Sequence, residues 1–310
     1  MKILKKWFLA FLSFILLFLA ATFIFHRISL EKEQASLTLM GQQVLVDGHQ
    51  INVYVEGNGP ETIVVLSGAG IASPILDFKE VSESLSKRYK VVIVERAGYG
   101  YSDDSNHSRD VMEVLSETRQ ALSQANVKGP FIILSHSMAS LESLAWQEKY
   151  PDEVKALIGL DWALSSSYEN LKDNQTLLTL AYWSSKIGLL RYFPESFYIK
   201  NQTLTESERK QYRFLAYKQL MSQAMLHESQ TVKENAKKVP SNINPKIPAL
   251  LLVSNGDGTS FSQFEWQRYA ERFASDQSNV QVVYMDAPHD LYHYKSHEIV
   301  SQIEDFLKSN

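Results

Sequence analysis

The chain has 310 residues, of which 45% are hydrophobic and 21% charged, so it can bury one large core with little left over. Its formal net charge of −4, without any basic stripe, argues against nucleic acid as a partner. The lack of cysteine excludes disulfides, thiolate zinc sites and a cysteine nucleophile.

The N-terminus differs in composition from the rest of the chain. Lys2, Lys5 and Lys6 precede an uncharged, mostly apolar run of 19 residues, Trp7 to Phe25. This run is long enough to cross a hydrocarbon core of about 30 Å, and it lacks a good signal-peptidase site. We therefore predict an uncleaved, single-pass membrane anchor over residues 1–27, which places the protein in the cell membrane. The lysines favour a cytoplasmic N-terminus and an extracytoplasmic globular part.

The segments that follow the anchor predict a linker and one globular domain. Residues 28–41 are polar and are interpreted as a linker or short helix, and the domain is predicted to span residues 42–310. Asp47-Gly48 separates two short strand-like segments, which indicates a β-hairpin. Apolar strand segments then alternate with helical periodicities. This alternation predicts an α/β fold, with a mostly parallel sheet, helices on both faces and an antiparallel hairpin at its start.

One strand–helix junction carries a chemical signature. A short apolar strand passes through the residues Ser135-His136-Ser137-Met138-Ala139 directly into a helix. So tight a turn requires small residues two positions on either side of the serine, and it exposes the serine hydroxyl at the carboxyl end of the strand. The pattern predicts a nucleophile elbow with Ser137 as the nucleophile. Glycine is the usual residue at both small positions, where this chain has Ser135 and Ala139.

The strand–helix alternation stops between residues 164 and 240. Aromatic and aliphatic residues recur there at helical spacing, and no strand pattern occurs. We therefore predict a helical lid inserted after the sixth strand. Its side chains would decide which acyl and leaving groups the site accepts.

Polar groups also follow other predicted strands, at the sheet edge where ligands gather in open parallel sheets. A serine hydroxyl needs a base near neutral pH, and His289, which follows the last strand, is the candidate. Asp257 follows the preceding strand and is expected to orient the imidazole, with Asp161 at the end of the sixth strand as the alternative acid. The amides of Ala69 and Met138 are the expected oxyanion hole.

Other polar residues near these motifs are expected to have structural roles. His136 is expected to be a packing residue and His293 a surface residue. The loop Glu95–Asp103, with the sequence ERAGYGYSD, is interpreted as a buried, salt-linked turn.

Taken together, these motifs resemble the α/β-hydrolase family, in its lid-bearing esterase, peptidase and haloperoxidase-like branch. The resemblance covers residues 42–308 and rests on SGAG after the third strand, ERAGYGYSD after the fourth, SHSMA at the elbow and YPDEV before the sixth strand. The late aspartate and histidine complete the family's order of Ser, Asp and His. Relatives usually have His-Gly where this chain has Ser67-Gly68, so a side chain that braces the oxyanion loop is missing.

The resemblance implies a membrane-anchored serine hydrolase that cleaves a small-molecule carboxylic ester, or an amide, through an acyl-enzyme. It implies no metal and no organic cofactor. The alternative is a catalytically silent α/β-hydrolase fold used as a binding or scaffold protein. A haloperoxidase-like activity is a third option, whereas dehalogenases have an aspartate at the elbow and are excluded by Ser137.

Overall fold

The computed structural model describes residues 2–172 and 174–310, and an eight-stranded sheet forms its centre. The strands are β1 (Gln42–Val46), β2 (His49–Glu56), β3 (Thr62–Leu66), β4 (Lys90–Glu95), β5 (Phe131–His136), β6 (Val154–Leu160), β7 (Ala249–Val253) and β8 (Val280–Tyr284). Their order is β1-β2-β4-β3-β5-β6-β7-β8. β2 pairs antiparallel with β1 and β4, and the pairs from β4 to β8 are parallel. The predicted fold class is confirmed.

Helices cover both faces of the sheet. The α-helices of the described residues are α1 (Lys2–Gln34), α2 (Pro74–Asp77), α3 (Lys79–Leu85), α4 (Val111–Gln124), α5 (Ser140–Lys149), α6 (Ser165–Glu169), α7 (Gln175–Ile187), α8 (Glu206–Gln219), α9 (Gln223–Lys238), α10 (Gln263–Ala274) and α11 (Ser296–Ser309). One buried cluster joins the sheet to α4, α5 and α10, and a second joins it to α2, α3 and α11. The sheet is therefore packed against helices on both of its faces.

Strand β5, which leads to Ser137, is packed on both faces of the sheet. Every residue of β5 is buried. Ile133 packs into the first cluster, whereas Ile132 and Leu134 pack into the second, as the alternation of side chains along a strand requires. Because both faces are covered, the strand is apolar from Phe131 to Leu134 rather than alternating with polar residues.

The helices between β6 and β7 form the lid, in the chain segment where the sequence predicts it. They are α6, α7, α8 and α9. The inner helix α9 buries residues along its whole length. The structure describes every residue of α7, and none of them is buried. The lid thus has an inner helix fixed to the domain and an outer helix with an open face.

Helix α1 is longer than the predicted anchor. It continues to Gln34, so the first half of the predicted linker, residues 28–34, is helical. By length and composition α1 could cross a membrane. The domain boundary at residue 42 coincides with the first residue of β1 but stays a prediction.

Candidate active site

The turn after β5 has the backbone geometry of an elbow. Ser137 has a φ of 53°, in the left-handed region that residues other than glycine rarely adopt. It begins a short 3₁₀ turn, Ser137–Ala139, that leads directly into α5. Strain of this kind persists only where the surrounding structure holds it, and it is common at catalytic nucleophiles. The elbow predicted from the sequence is present.

Ser135 fits where glycine is usual because its hydroxyl oxygen accepts two hydrogen bonds. It is completely buried. The indole Nε1–H of Trp162 donates to Ser135 Oγ at 2.8 Å, and the Ser143 hydroxyl donates to the same oxygen at 2.7 Å. A buried hydroxyl is costly only when it lacks hydrogen-bond partners. The Ser135 hydroxyl has them, and its two bonds link β5 to α5 and to the residues after β6.

His289 lies between Ser137 and a carboxylate. Its Nε2 is 2.8 Å from Ser137 Oγ, and its Nδ1 is 2.5 Å from Asp161 Oδ2. In this arrangement Nδ1–H donates to the carboxylate, and Nε2 is free to accept the serine proton. Burial disfavours the imidazolium, but the hydrogen bond and the negative charge of Asp161 outweigh it, so the pKa of His289 is raised. The ring is a stronger base than a free imidazole.

The prediction that Asp257 orients His289 is wrong, because the structure places Asp161 there. The Asp257 side chain is exposed. It adjoins His289 only through its backbone, since the carbonyl of Asp257 accepts the His289 N–H at 2.7 Å. The two strand ends are neighbours, as expected, but the loop turns the Asp257 carboxylate outward.

Asp161 is held as a carboxylate by four donors. It is 1% exposed. Its Oδ1 accepts from the Ser254 N–H at 2.7 Å and from Trp266 Nε1–H at 2.8 Å. Its Oδ2 accepts from the Ser254 hydroxyl at 2.7 Å and from His289. Buried charges require this degree of hydrogen bonding, so the site is built around Asp161 in its ionised form.

His136 is not a second base. Burial, and then the charge of His289, lower its pKa to about 3, so the ring is neutral near pH 7. Its Nε2–H donates to the carbonyl of His289 at 3.2 Å, which fixes the tautomer and supports the loop that carries His289. His293 is less exposed than expected: its side chain is only 4% exposed, and its Nε2 is 3.4 Å from Asp77 Oδ1.

The loop after β3 lies against the elbow. A Cβ atom on Gly68 would come within 2.9 Å of Ser137 Cβ and 2.6 Å of His136 Nδ1, so only glycine fits there. Ala69 follows in an exposed turn, and Met138 is half-buried beside Ser137. These positions keep the amides of Ala69 and Met138 as candidates for the oxyanion hole.

Arg96 braces that loop through a hydrogen bond to the loop backbone. Its Nη2–H donates to the carbonyl of Gly68 at 3.3 Å. Arg96 Nε in turn lies 3.3 Å from Glu228 Oε1 of the lid helix α9, and Tyr99 donates to Glu228 Oε2 at 2.5 Å. The buried, salt-linked turn predicted for Glu95–Asp103 is confirmed, and it connects the lid to the loop after β3.

Sequence reasoning missed the residues that surround Asp161. Ser254 directly follows β7, the strand that also precedes Asp257, and Trp266 lies in α10. The available signal was weak: a serine directly after a buried strand and a tryptophan on a mostly polar helix. Among residues 2–172 and 174–310 no group of three His, Asp or Glu side chains converges as metal ligands would.

Comparison with known proteins agrees with this fold. The model of the alpha/beta hydrolase fold family matches residues 62–187. Protein YbdG of Bacillus subtilis (strain 168) is 33% identical over 99% of this chain and 98% of its own length. The esterase EaEST from Exiguobacterium antarcticum superposes with a TM-score of 0.66 at 17% identity, over 87% of this chain and all of that one. An epoxide hydrolase from Bacillus megaterium gives 0.66 at 16% identity, over 86% and 100%.

Proposed function

The chain belongs to the α/β-hydrolase family, and from this premise we propose that it is a serine hydrolase that cleaves a carboxylic ester. The observation that carries the proposal is the unbroken hydrogen-bonded series from Ser137 through His289 to Asp161. The base is within reach of the nucleophile, and the acid that orients the base is buried and ionised. A silent scaffold would have no need of a strained serine bonded to a histidine.

In the first step the Ser137 oxygen attacks the carbonyl carbon of the ester. His289 Nε2 accepts the hydroxyl proton as the C–O bond forms, and the carbonyl oxygen becomes an oxyanion. The imidazolium then gives this proton to the alkoxy leaving group when the tetrahedral intermediate collapses. The products of the step are an alcohol and an acyl group on Ser137.

In the second step water takes the place of the serine. His289 accepts a proton from the water, whose oxygen attacks the acyl carbon, and then returns the proton to Ser137 Oγ as the acid leaves. Asp161 keeps its charge throughout and stabilises the imidazolium in both steps. The amides of Ala69 and Met138 would donate to the oxyanion.

The proposal includes a place in the cell. Residues 1–27 would anchor the enzyme in the cell membrane, with the N-terminus cytoplasmic and the catalytic domain extracytoplasmic. The length and apolar character of α1 support the anchor, and the three lysines before its apolar run support the orientation.

An active-site probe and a substrate panel test the proposal. Fluorophosphonate should label the wild-type chain and the Ser123→Ala control, which changes an exposed serine on α4. Ser137→Ala should abolish labelling and lower ester turnover by on the order of 10³-fold or more. Para-nitrophenyl esters of increasing length and aminoacyl anilides distinguish esters from amides. Unlabelled wild-type protein without turnover would favour the silent scaffold.

A further inference from the structure

The outer part of the lid lies along α1. Arg191 donates from Nη1 and Nη2 to the two carboxylate oxygens of Glu33, each at 2.8 Å. Tyr192 contacts α1 closer to the N-terminus of that helix. The Tyr192 hydroxyl is 3.1 Å from Thr22 Oγ1, and the centroid of the Tyr192 ring is 5.8 Å from that of Phe18. The short turn Leu189–Tyr192 therefore follows α1 toward the membrane anchor.

These contacts fix the depth of the lid relative to the anchor. Phe18 and Thr22 belong to the uncharged run Trp7 to Phe25. An α-helix rises about 1.5 Å per residue, so this run is roughly 28 Å long, nearly all of which is needed to cross a hydrocarbon core. Phe18 lies about 10 Å inside the end of the run by the same rise. A bilayer crossed by α1 would therefore reach the ring of Tyr192.

The lid also carries exposed apolar side chains, which we name the outer lid face. It consists of large side chains that are each between 50% and 62% exposed: Leu177, Leu180, Trp183, Tyr192, Phe193 and Phe197. The first three are spaced three residues apart along α7, so they share one face of that helix. Single exposed apolar residues are ordinary, but six of them on a lid that contacts a membrane helix indicate an interaction surface.

We propose that the outer lid face lies in the headgroup and upper acyl region of the bilayer that α1 crosses. Tryptophan and tyrosine favour this boundary because one end of the side chain is apolar and the other polar. The charge of the lid fits as well. Residues 164–240 contain eleven Lys and Arg and seven Asp and Glu, whereas the whole chain has a net charge of −4. A positive lid is attracted to anionic headgroups.

The bilayer is favoured over a second copy of the chain by the position of Tyr192. A protein partner could cover α7, but it would leave unexplained why the lid contacts α1 within its apolar run. The inference rests on the anchor of the proposed function and is independent of the triad.

Tryptophan fluorescence tests the inference without measuring hydrolysis. The full-length Trp7→Phe chain is reconstituted into vesicles of phosphatidylcholine and phosphatidylglycerol, and flotation verifies that it is anchored. Trp146, Trp162 and Trp266 are buried, so Trp183 is the remaining exposed reporter. Lipids brominated about 5–10 Å below the headgroups should quench most of the Trp183 emission, and aqueous iodide should quench little. Trp183→Phe in this background should remove the quenched component.

A matched reporter controls for exposure in general. Tyr284, at the end of the edge strand β8, is 46% exposed and lies outside the lid. In the Trp7→Phe chain that also carries Trp183→Phe and Tyr284→Trp, iodide should quench the emission of the new tryptophan and brominated lipid should not. Iodide quenching of Trp183 would place the outer lid face in water, and failure of both quenchers would place it against protein. Either result overturns the inference, and failure of flotation overturns the anchor with it, whatever the ester turnover.

Discussion

The ends of β6 and β7 lie side by side in the sheet, and each is followed by an aspartate, yet the two aspartates have opposite surroundings. Asp161 is buried and bonded to His289, whereas Asp257 is exposed. The β7 end still contributes, because Ser254 donates twice to Asp161. One strand end supplies the charge and the other supplies the donors that keep it ionised.

This division of roles follows from the physics of burial. A carboxylate near a base is effective only if water is excluded, and excluding water is costly unless donors replace it. Asp161 has those donors from Ser254, Trp266 and His289. Asp257 is turned toward solvent, where water would screen its charge. The comparison predicts that the effects of substitutions depend on these surroundings and not on the order of residues along the chain.

The strongest test exchanges each carboxylate for an amide. Asp161→Asn should lower kcat by up to ~10⁴, because the amide favours the wrong histidine tautomer and no longer stabilises the imidazolium. Asp257→Asn should leave kcat unchanged. Turnover of a p-nitrophenyl ester measures both, with circular dichroism to verify folding. A large loss in Asp257→Asn alone would restore the assignment made from the sequence.

The pH dependence of kcat/KM gives a second test. His289 acts as a base only when neutral, so wild-type activity should rise with pH through its raised pKa. In Asp161→Asn the hydrogen bond and charge that raise this pKa are lost, while burial continues to lower it. The midpoint of the residual activity should therefore move to lower pH, and in Asp257→Asn it should not move. A midpoint that moves with Asp257 instead would contradict the geometry.

Trp266→Phe removes one donor from Asp161 and retains most of the aromatic packing. We expect a loss of about 1–3 kcal/mol in the free energy of unfolding, together with a clear fall in kcat, because a buried carboxylate oxygen loses a partner. Trp146→Phe is the matched control, since its indole donates to Glu153 at a distance from the triad. Urea unfolding and ester turnover should show stability loss in both variants but a fall in kcat only in Trp266→Phe.

Ser254→Ala should have the smallest effect of the series. It removes the hydroxyl bond to Asp161 Oδ2 but keeps the Ser254 N–H bond to Oδ1. A cost of about 1 kcal/mol corresponds to a fall in kcat of several-fold. Ser102→Ala removes a buried hydroxyl that donates to the Glu95 carbonyl at 2.5 Å and should leave kcat unchanged. Equal kcat in both variants would show that Ser254 serves the fold rather than Asp161.

The sequence alone was sufficient for features that depend on local patterns. Alternating strand and helix periodicities predicted the sheet, and SHSMA predicted the strained turn at Ser137. The position of His289 after the last strand followed from the order of elements. Such patterns are readable because hydrophobic periodicity and steric demands act over a few neighbouring residues.

The choice of Asp161, the bracing by Arg96 and the contact of the lid with α1 were decided only by the tertiary structure. Asp161 and His289 are 128 residues apart, and the whole lid lies between them in the chain. Which carboxylate is buried depends on how two loops fold back and on which donors arrive from β7 and α10. Those contacts join residues far apart in the chain, so no local pattern encodes them. Both aspartates were candidates from the sequence, and tertiary packing buries only Asp161 beside His289.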